Sequence, residues 1–358
     1  MFTNIFNSNN NSENFFKWIF RRHDNLKSIV FLFFSQTNAT SARYNPLFQN
    51  TQEIRIVYFL GLPIKYSDRV LLKIFKISQF ILKPKIAQYQ KIHFFNSDMN
   101  FNNEIQILHM DDPEYSGESI QKIKAWEKRN LSKNRLSKIV CTNTFTENWL
   151  KINTELVDIV VIEQGSDYLV PLSEPIARTT FICAYSSPYI FYGNDKDSNH
   201  TTYGAKTLFD EIIPSLFKQD PNILVYLIGK LGKDAKKAAI KYPNLILFGP
   251  VSINQNLEIL SNCDVGIYPR KFDHKRSVLK IFTYIGAGLP IVTFDLIDTE
   301  IVKRKELGFS VSNSKQFVEK IIELKNTPDL LKVFQANVKS HQEVYSWGYL
   351  ARKMEKAL

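Results

Sequence analysis

Cysteine is nearly absent: three residues in 358, Cys141, Cys183 and Cys263, lie far apart, each inside an apolar run. So few thiols, odd in number and scattered, argue against a disulfide framework or a clustered zinc site, and fit a reducing compartment. Long hydrophobic runs are missing too. Stretches such as Ser28 to Phe34 fall far short of the roughly 20 residues that span a bilayer. Lys17, Arg21 and Arg22 precede an apolar run too short for a persuasive signal peptide. No internal repeat occurs, and low complexity is confined to the Asn/Ser-rich stretch Asn4 to Asn14. Helix-turn-helix, RNA-recognition and zinc-finger signatures are lacking, so no nucleic-acid partner is expected. A cytoplasmic location follows as the expectation.

Hydrophobic residues make up 44% and charged residues 23%, a globular composition long enough for two domains. The net charge of +11 favours an anionic partner. Residues 1–100 hold 13 Lys/Arg and 5 Asp/Glu, so +8 of that charge lies there. Phe15-Phe-Lys-Trp-Ile-Phe-Arg-Arg22 interleaves aromatics with cations. Leu71 to Lys83 sets apolar residues at helical spacing beside Lys73, Lys76 and Lys83. Such a pattern suits a helix on an anionic membrane surface, or equally a core-packing helix with a solvated basic edge.

Short β-branched and aromatic runs alternate with helical patterns, the mark of an α/β fold with parallel sheets. Strands are predicted at Ser28–Phe34, Glu53–Leu60, Lys91–Phe95, Ile105–His109, Lys138–Thr142 and Ile159–Ile162, with helices at Asp68–Gln88, Glu118–Asn130 and Thr146–Asn153. Gly165 to Arg178, with Pro171 and Pro175, reads as a linker. The rhythm then restarts, with strands at Thr180–Tyr185, Ile223–Ile228, Leu245–Phe248, Val265–Tyr268 and Ile291–Thr293. Helices are predicted at Tyr203–Phe217, Ala235–Lys241, Asn254–Asn262, Val278–Gly286 and Ser314–Lys325. In such folds ligands bind at the carboxyl ends of strands, so a crevice between two domains is the default site. Tyr185 to Gly204 reads as a long polar loop lining it, in which His200 is more simply a solvated histidine than a metal ligand.

The most informative run is Ser277-Val-Leu-Lys-Ile-Phe-Thr-Tyr-Ile-Gly-Ala-Gly-Leu-Pro290. A polar residue opens a helix that ends at Gly-Ala-Gly, and free N–H groups at its start suit a diphosphate, with Lys280 adding a point charge. An ordinary αβ unit with a glycine C-cap shows the same pattern. This run resembles the donor-site helix of retaining GT-B glycosyltransferases of the glycogen-synthase-like family, glycosyltransferase family 4 type. Val225 to Gly229 resembles that family's strand into the nucleotide pocket, and Phe248 to Val251 the loop whose backbone meets the base. Asp264 to Pro269 is similar to the segment before the donor helix. Ser137 to Asn143, Ile162 to Asp167 and the stretch from Trp347 to Leu358 match further family segments in order, so the likeness covers residues 28 to 358.

The resemblance implies two Rossmann-like domains facing across a cleft, with a C-terminal helix crossing back to the first. The corresponding boundaries are a basic, aromatic arm over 1–27, an acceptor domain over 28–172 joined by 340–358, and a donor domain over 173–339. It implies transfer of a sugar from a nucleotide-sugar donor, with retention, to a glycan, glycolipid or lipid-linked acceptor, with no cofactor and no metal. A catalytically degenerate GT-B protein acting as a sugar-binding or scaffold partner is the alternative. His109 is the residue expected to face the transferred sugar, although a buried histidine fits the strand end equally; Lys280 and Lys206 are the cations expected to stabilise the leaving diphosphate. Donor contacts are expected from Ser187, Gly229, Gly249, Val251, Arg270, Ser277, Val278, Leu279 and Thr283, and acceptor-side contacts from Arg43 and Asp111. Departures from the family pattern are Thr283 in place of its usual Glu, Lys275 near that glutamate's usual companion (with Asp273 and His274 close by), and Ser186-Ser187 and Tyr203-Gly204 in place of its diphosphate contacts. Lys271 and Arg276 are further candidate cations.

Overall fold

The computed structural model describes residues 12–14, 26, 28–33, 46–59, 85–94, 102–110, 120–155, 158–167, 180–190, 204–272 and 278–358. The chain forms two units, Met1–Gln164 with Trp347–Leu358, and Gly165–Ser346. The sequence-based boundaries lie a few residues away, at 172/173 and 339/340. Where the chain passes between units, its two crossing segments meet in unit 2. Ser166 and Ser346 form a parallel bridge, and Ser166 N–H donates to Tyr345 O at 3.0 Å.

Unit 1 is a seven-stranded, all-parallel sheet ordered β1-β3-β2-β4-β5-β6-β7. Its strands are β1 (Ser12–Asn14), β2 (Ser28–Phe33), β3 (Ile54–Phe59), β4 (Lys91–Phe94), β5 (Ile105–His109), β6 (Leu136–Cys141) and β7 (Asp158–Val161). Helices α1 (Ile120–Leu131) and α2 (Thr144–Asn153) follow β5 and β6. Asn143 caps α2 by accepting from Thr146 N–H, which satisfies one of the donors a helix start leaves open. Ile92, Phe94, Leu108, Ile139 and Cys141 pack with Ile123 and Trp126 of α1 and Leu150 of α2. The last helix of the chain, Trp347–Ala357, belongs to this unit. It buries Trp347, Leu350, Ala351 and Met354, and Glu355 accepts from Gln52 N–H and Glu53 N–H, both at 2.7 Å.

Unit 2 is a six-stranded parallel sheet ordered β10-β9-β8-β11-β12-β13. Its strands are β8 (Ile182–Ile190), β9 (Leu224–Leu231), β10 (Leu245–Gly249), β11 (Val265–Tyr268), β12 (Ile291–Phe294) and β13 (Gly308–Val311). The first helical segment comprises α3 (Ala205–Thr207), a π-helical turn Leu208–Ile212, and α4 (Ile213–Gln219). After it come α5 (Lys233–Ile240), α6 (Ile253–Ser261), α7 (Leu279–Gly286), α8 (Glu300–Arg304), α9 (Ser314–Asn326), α10 (Pro328–Gln342) and, in unit 1, α11 (Trp347–Ala357). Alternate residues of each strand serve opposite cores, as burial of a parallel sheet on both faces requires. Cys183 and Tyr185 of β8 join Leu208, Leu216, Phe317 and Ile321 on one side. Ile182 and Ala184 join Leu257, Ile281, Ile285 and Val302 on the other.

Two sequence-based elements are corrected. The strand expected to stop at Tyr185 continues through a register shift between Ser186 and Tyr189 to Ile190, so the polar loop is shorter than Tyr185 to Gly204. Pairing with β9 carries the strand past Pro188. The strand expected to end at Ile228 likewise runs on through Gly229 to Leu231. Most of the predicted helix Asp68–Gln88, the basic segment Phe15 to Arg22 and residues 191–203 lie outside the described residues. Among the described residues no helix is long and apolar enough to cross a membrane.

His93 of β4 is 1% exposed, and burial together with the Lys91 charge pushes its pKa down to about 3. The unfolded chain, titrating near 6.5, binds the proton more tightly, so stability is lost as the pH falls below 6.5. This linkage is worth about 2 kcal/mol by pH 5. Calorimetric melting of wild type and His93→Gln between pH 7 and 5 should show a steeper loss for the wild type.

Candidate active site

In doubly wound sheets the strand order reverses at one point, and there the carboxyl ends of neighbouring strands open a crevice. In unit 2 that point lies between β8 and β11, since the chain winds from β8 to β10 on one side and from β11 to β13 on the other. The residues at these strand ends, Tyr185 to Ser187 and Tyr268 to Arg270, together with the start of α7, form the candidate site.

Tyr284 of α7 ties the two strand ends together. Its hydroxyl accepts from Ser186 N–H at 3.2 Å and shares its proton between Ile267 O at 3.0 Å and Ala184 O at 3.3 Å. Burial drives its pKa well above the usual tyrosine range, so it stays a neutral donor. Gly266 makes room for the ring, because a Cβ there would lie 2.7 Å from it. The end of β8 is pinned by three further contacts. Ser186 Oγ donates to Asn256 Oδ1 at 2.8 Å, Ser187 Oγ donates to Tyr189 O at 2.8 Å, and Gly229 lets Ser187 O approach so closely that a Cβ would lie 1.7 Å away. Gly204, at φ +90°, likewise abuts Pro269 and the Arg270 backbone.

Two cations are buried in this corner. Arg270 is 1% exposed; its Nη1 donates to Tyr268 Oη at 3.0 Å, and its Nη2 lies 3.2 Å from the buried Asp298 carboxylate. Its Nε–H has no hydrogen-bond partner among the described residues. Lys280, in the first turn of α7, has a half-exposed stem and a buried Nζ. That Nζ lies 4.8 Å from the Tyr185 ring centroid and 5.6 Å from that of Tyr268, where ring faces attract the ammonium. Burial, reinforced by the Arg270 charge, lowers the Lys280 pKa to about 7. Val278 caps α7 without a side-chain hydrogen bond, and Leu279 follows half-buried, so the first N–H groups of the helix have no cap from its N-cap residue.

The other expected residues fall in different settings. Lys206 is largely exposed and pairs with Asp210 at 2.6 Å on its own helical segment, so the buried cations of this corner are Lys280 and Arg270. Lys271 is held by both carboxylate oxygens of Glu211 at 2.7 and 2.6 Å. Thr283 Oγ1 donates to Leu279 O at 3.1 Å, within α7 itself. Gly249 adopts φ +70° with open space where a Cβ would be, and Val251 packs against the α6–α7 core. His109 stands at the end of β5 in unit 1 but is 2% exposed. Its Nε2 lies 3.0 Å from His93 Nδ1, with the Phe48 ring edge-on to both, so the imidazole belongs to the core instead of a surface facing substrate. Arg43, Asp111, His200 and the segment 273–277, which includes Ser277, lie outside the described residues. Among the described residues no group of three or more His, Cys, Asp or Glu is placed to hold a metal ion. Sequence reasoning missed Tyr185, Tyr268, Tyr284 and Asp298. For the first two the available signal was an aromatic closing each of the strands that flank the reversal.

Residues 190–327 match the family model described as Glycosyl transferases group 1. A search of curated proteins by sequence finds no match. The structure is similar to S. aureus TarM (G117R mutant, in complex with fondaparinux, α-GlcNAc-glycerol and UDP) at TM-score 0.55 and 13% identity, covering 78% of this chain and 57% of TarM. This chain thus spans little more than half the TarM chain. It is similar to Anabaena HepE in complex with UDP and glucose at TM-score 0.61 and 13% identity, covering 92% and 98% of the two chains. A Listeria monocytogenes protein given provisionally as a UDP-N-acetylglucosamine 2-epimerase aligns at TM-score 0.54 and 11% identity, covering 93% and 95%. The chain therefore has the α/β fold of GT-B glycosyltransferase structures, with two parallel sheets, and its second unit carries the glycosyltransferase group 1 pattern.

Two outcomes test the geometry. Gly229→Ala should cost on the order of 3 kcal/mol in denaturant unfolding, since backbone stands where the methyl would go. For Lys280, whose folded pKa is depressed below 10.5, the unfolded chain binds more protons between pH 7 and 10. Stability should therefore rise with pH across that window, and Lys280→Met should melt without that rise.

Proposed function

We propose that the protein is a glycosyltransferase moving a sugar, with retention, from a nucleotide-sugar donor to a glycan, glycolipid or lipid-linked acceptor. The observation that carries this reading is the buried Arg270–Lys280 pair at the strand reversal of unit 2, beside the open start of α7. A guanidinium with an unused Nε–H and an ammonium lodged on two aromatic rings form a receptor for a doubly charged group such as a pyrophosphate. The family match over 190–327 and the GT-B fold support reading that receptor as one for a nucleotide-sugar. The diphosphate lies against Arg270 and Lys280, and the base lies toward Gly249 and Val251. The departing phosphate collects the acceptor's proton while the two cations stabilise its growing charge. Charge neutralisation by side chains assigns no part to a metal. An anionic membrane surface as partner, with the protein peripheral on its cytoplasmic side, rests on the composition of 15–22 and 71–83.

One observation favours a second reading, a sugar-binding protein without transfer activity: Thr283 spends its hydroxyl on Leu279 O where the resembling family carries a carboxylate.

Calorimetric titration with UDP, then release of UDP from a panel of UDP-sugars, separates the two. Transfer predicts UDP binding, loss of at least about tenfold in affinity in Lys280→Met and Arg270→Lys with cooperative unfolding retained, and turnover of one donor. Binding without turnover of any donor supports the second reading. Unchanged affinity in both variants overturns the assigned site.

A further inference from the structure

We propose that the outer edge of unit 2, formed by α5 and β10, docks onto an anionic lipid membrane. This surface is separated from the strand reversal by β8 and β9 and shares no residue with 15–22 or 71–83. It stands whether or not the chain transfers a sugar.

Helix α5 has one face for the sheet and one for the outside. Ala235 and Ala239, one turn apart, are buried in the core that holds Val225, Leu227 and Leu245. Lys233, Lys236, Lys237 and Ile240, at the spacing i, i+3, i+4, i+7, share the opposite face, and all four are exposed. Ile240 is 82% exposed. A lone exposed isoleucine is ordinary, but here the apolar surface continues into β10, the last strand of the sheet. Its Ile246 and Leu247 are exposed as well, and among the described residues no strand pairs with its outer edge.

Charge selects the occupant. Residues 230–241 hold five lysines and one aspartate. Among the described residues Lys233, Lys236, Lys237 and Lys241 form no ion pair, whereas Lys206, Lys271 and Lys320 of the same unit each meet a carboxylate. A second copy pairing along β10 would bring two of these basic faces to one sheet edge, where like charges repel. A nucleic acid would use the lysines and leave the aliphatic side chains in water. A bilayer with anionic headgroups satisfies both sets. The ammonium groups reach lipid phosphates while their stems lie along the boundary, and Ile240, Ile246 and Leu247 enter the edge of the acyl region.

The test places a probe on the face itself. Cys141, Cys183 and Cys263 are all buried, so in the full chain carrying Ile240→Cys an environment-sensitive fluorophore goes to the introduced thiol. The labelled protein is mixed with vesicles of phosphatidylglycerol and phosphatidylcholine in equal parts, and with vesicles of phosphatidylcholine alone. The expected result is a blue-shifted, brighter emission with the mixed vesicles only. Adding Lys233→Gln, Lys236→Gln and Lys237→Gln should weaken binding to them by at least about tenfold, since each lysine at an anionic surface contributes roughly fivefold. Cosedimentation with the mixed vesicles without a change at the label puts the contact elsewhere on the chain and overturns the proposal. Undiminished binding after the lysine replacements, or no binding at all, overturns it equally. Self-association in sedimentation velocity that is lost in Leu247→Lys, without vesicle binding, assigns the edge to a second copy and also overturns it. Failure of UDP to bind would sink the sugar-transfer reading and leave this surface untouched.

Discussion

Where β8 and β11 part, each loses the other as a partner on its facing edge while keeping β9 or β12 on the far side, and a single tyrosine hydroxyl takes that place. Tyr284 accepts from Ser186 N–H and donates toward Ile267 O and Ala184 O. A buried backbone group left unpaired costs about as much as a lost hydrogen bond, so this substitution holds the strand ends at a fixed separation. The cost elsewhere is glycine. Gly266 clears the ring of Tyr284, and Gly229 clears the carbonyl of Ser187. The corner that receives Arg270 and Lys280 exists because these small residues let backbone and ring come close.

Charge in that corner is arranged differently from charge on the rest of the unit. Along α3, α9 and the surface loops, lysines pair with carboxylates in solvent, at Lys206–Asp210, Lys271–Glu211 and Lys320–Glu323. Such pairs contribute little to stability. Arg270 and Lys280 are instead taken out of water, the first donating to Tyr268 Oη with Asp298 3.2 Å away and the second over the Tyr185 and Tyr268 rings. Desolvation of like charges side by side is costly unless something outside the fold compensates it. The anion proposed for this corner would add to the compensation that Asp298 gives Arg270.

Among its described residues, unit 1 offers no counterpart. The histidine that ends β5 is folded into the core with His93 and Phe48, and its ring is spent on packing.

Alternation of apolar strands with helical periods was legible in the linear order, because a parallel sheet buried on both faces demands continuous apolar runs. The strands Ile105–His109 and Val265–Tyr268 lie where that pattern sets them. The motif Ser277 to Pro290 also marked the helix bearing Lys280. Strand ends were less legible, since β8 passes Pro188 and β9 passes Gly229 by pairing with each other, a long-range effect that local propensity opposes. Nor could linear order distinguish the cations. Lys206 and Lys280 are both lysines early in a helical segment, yet one meets Asp210 in water and the other meets Tyr185 and Tyr268 in the interior. The sequence by itself determined two α/β units and the helix on which the buried Lys280 sits. Only the tertiary structure decided which cations lose their water, because burial depends on what strands distant in the chain bring alongside.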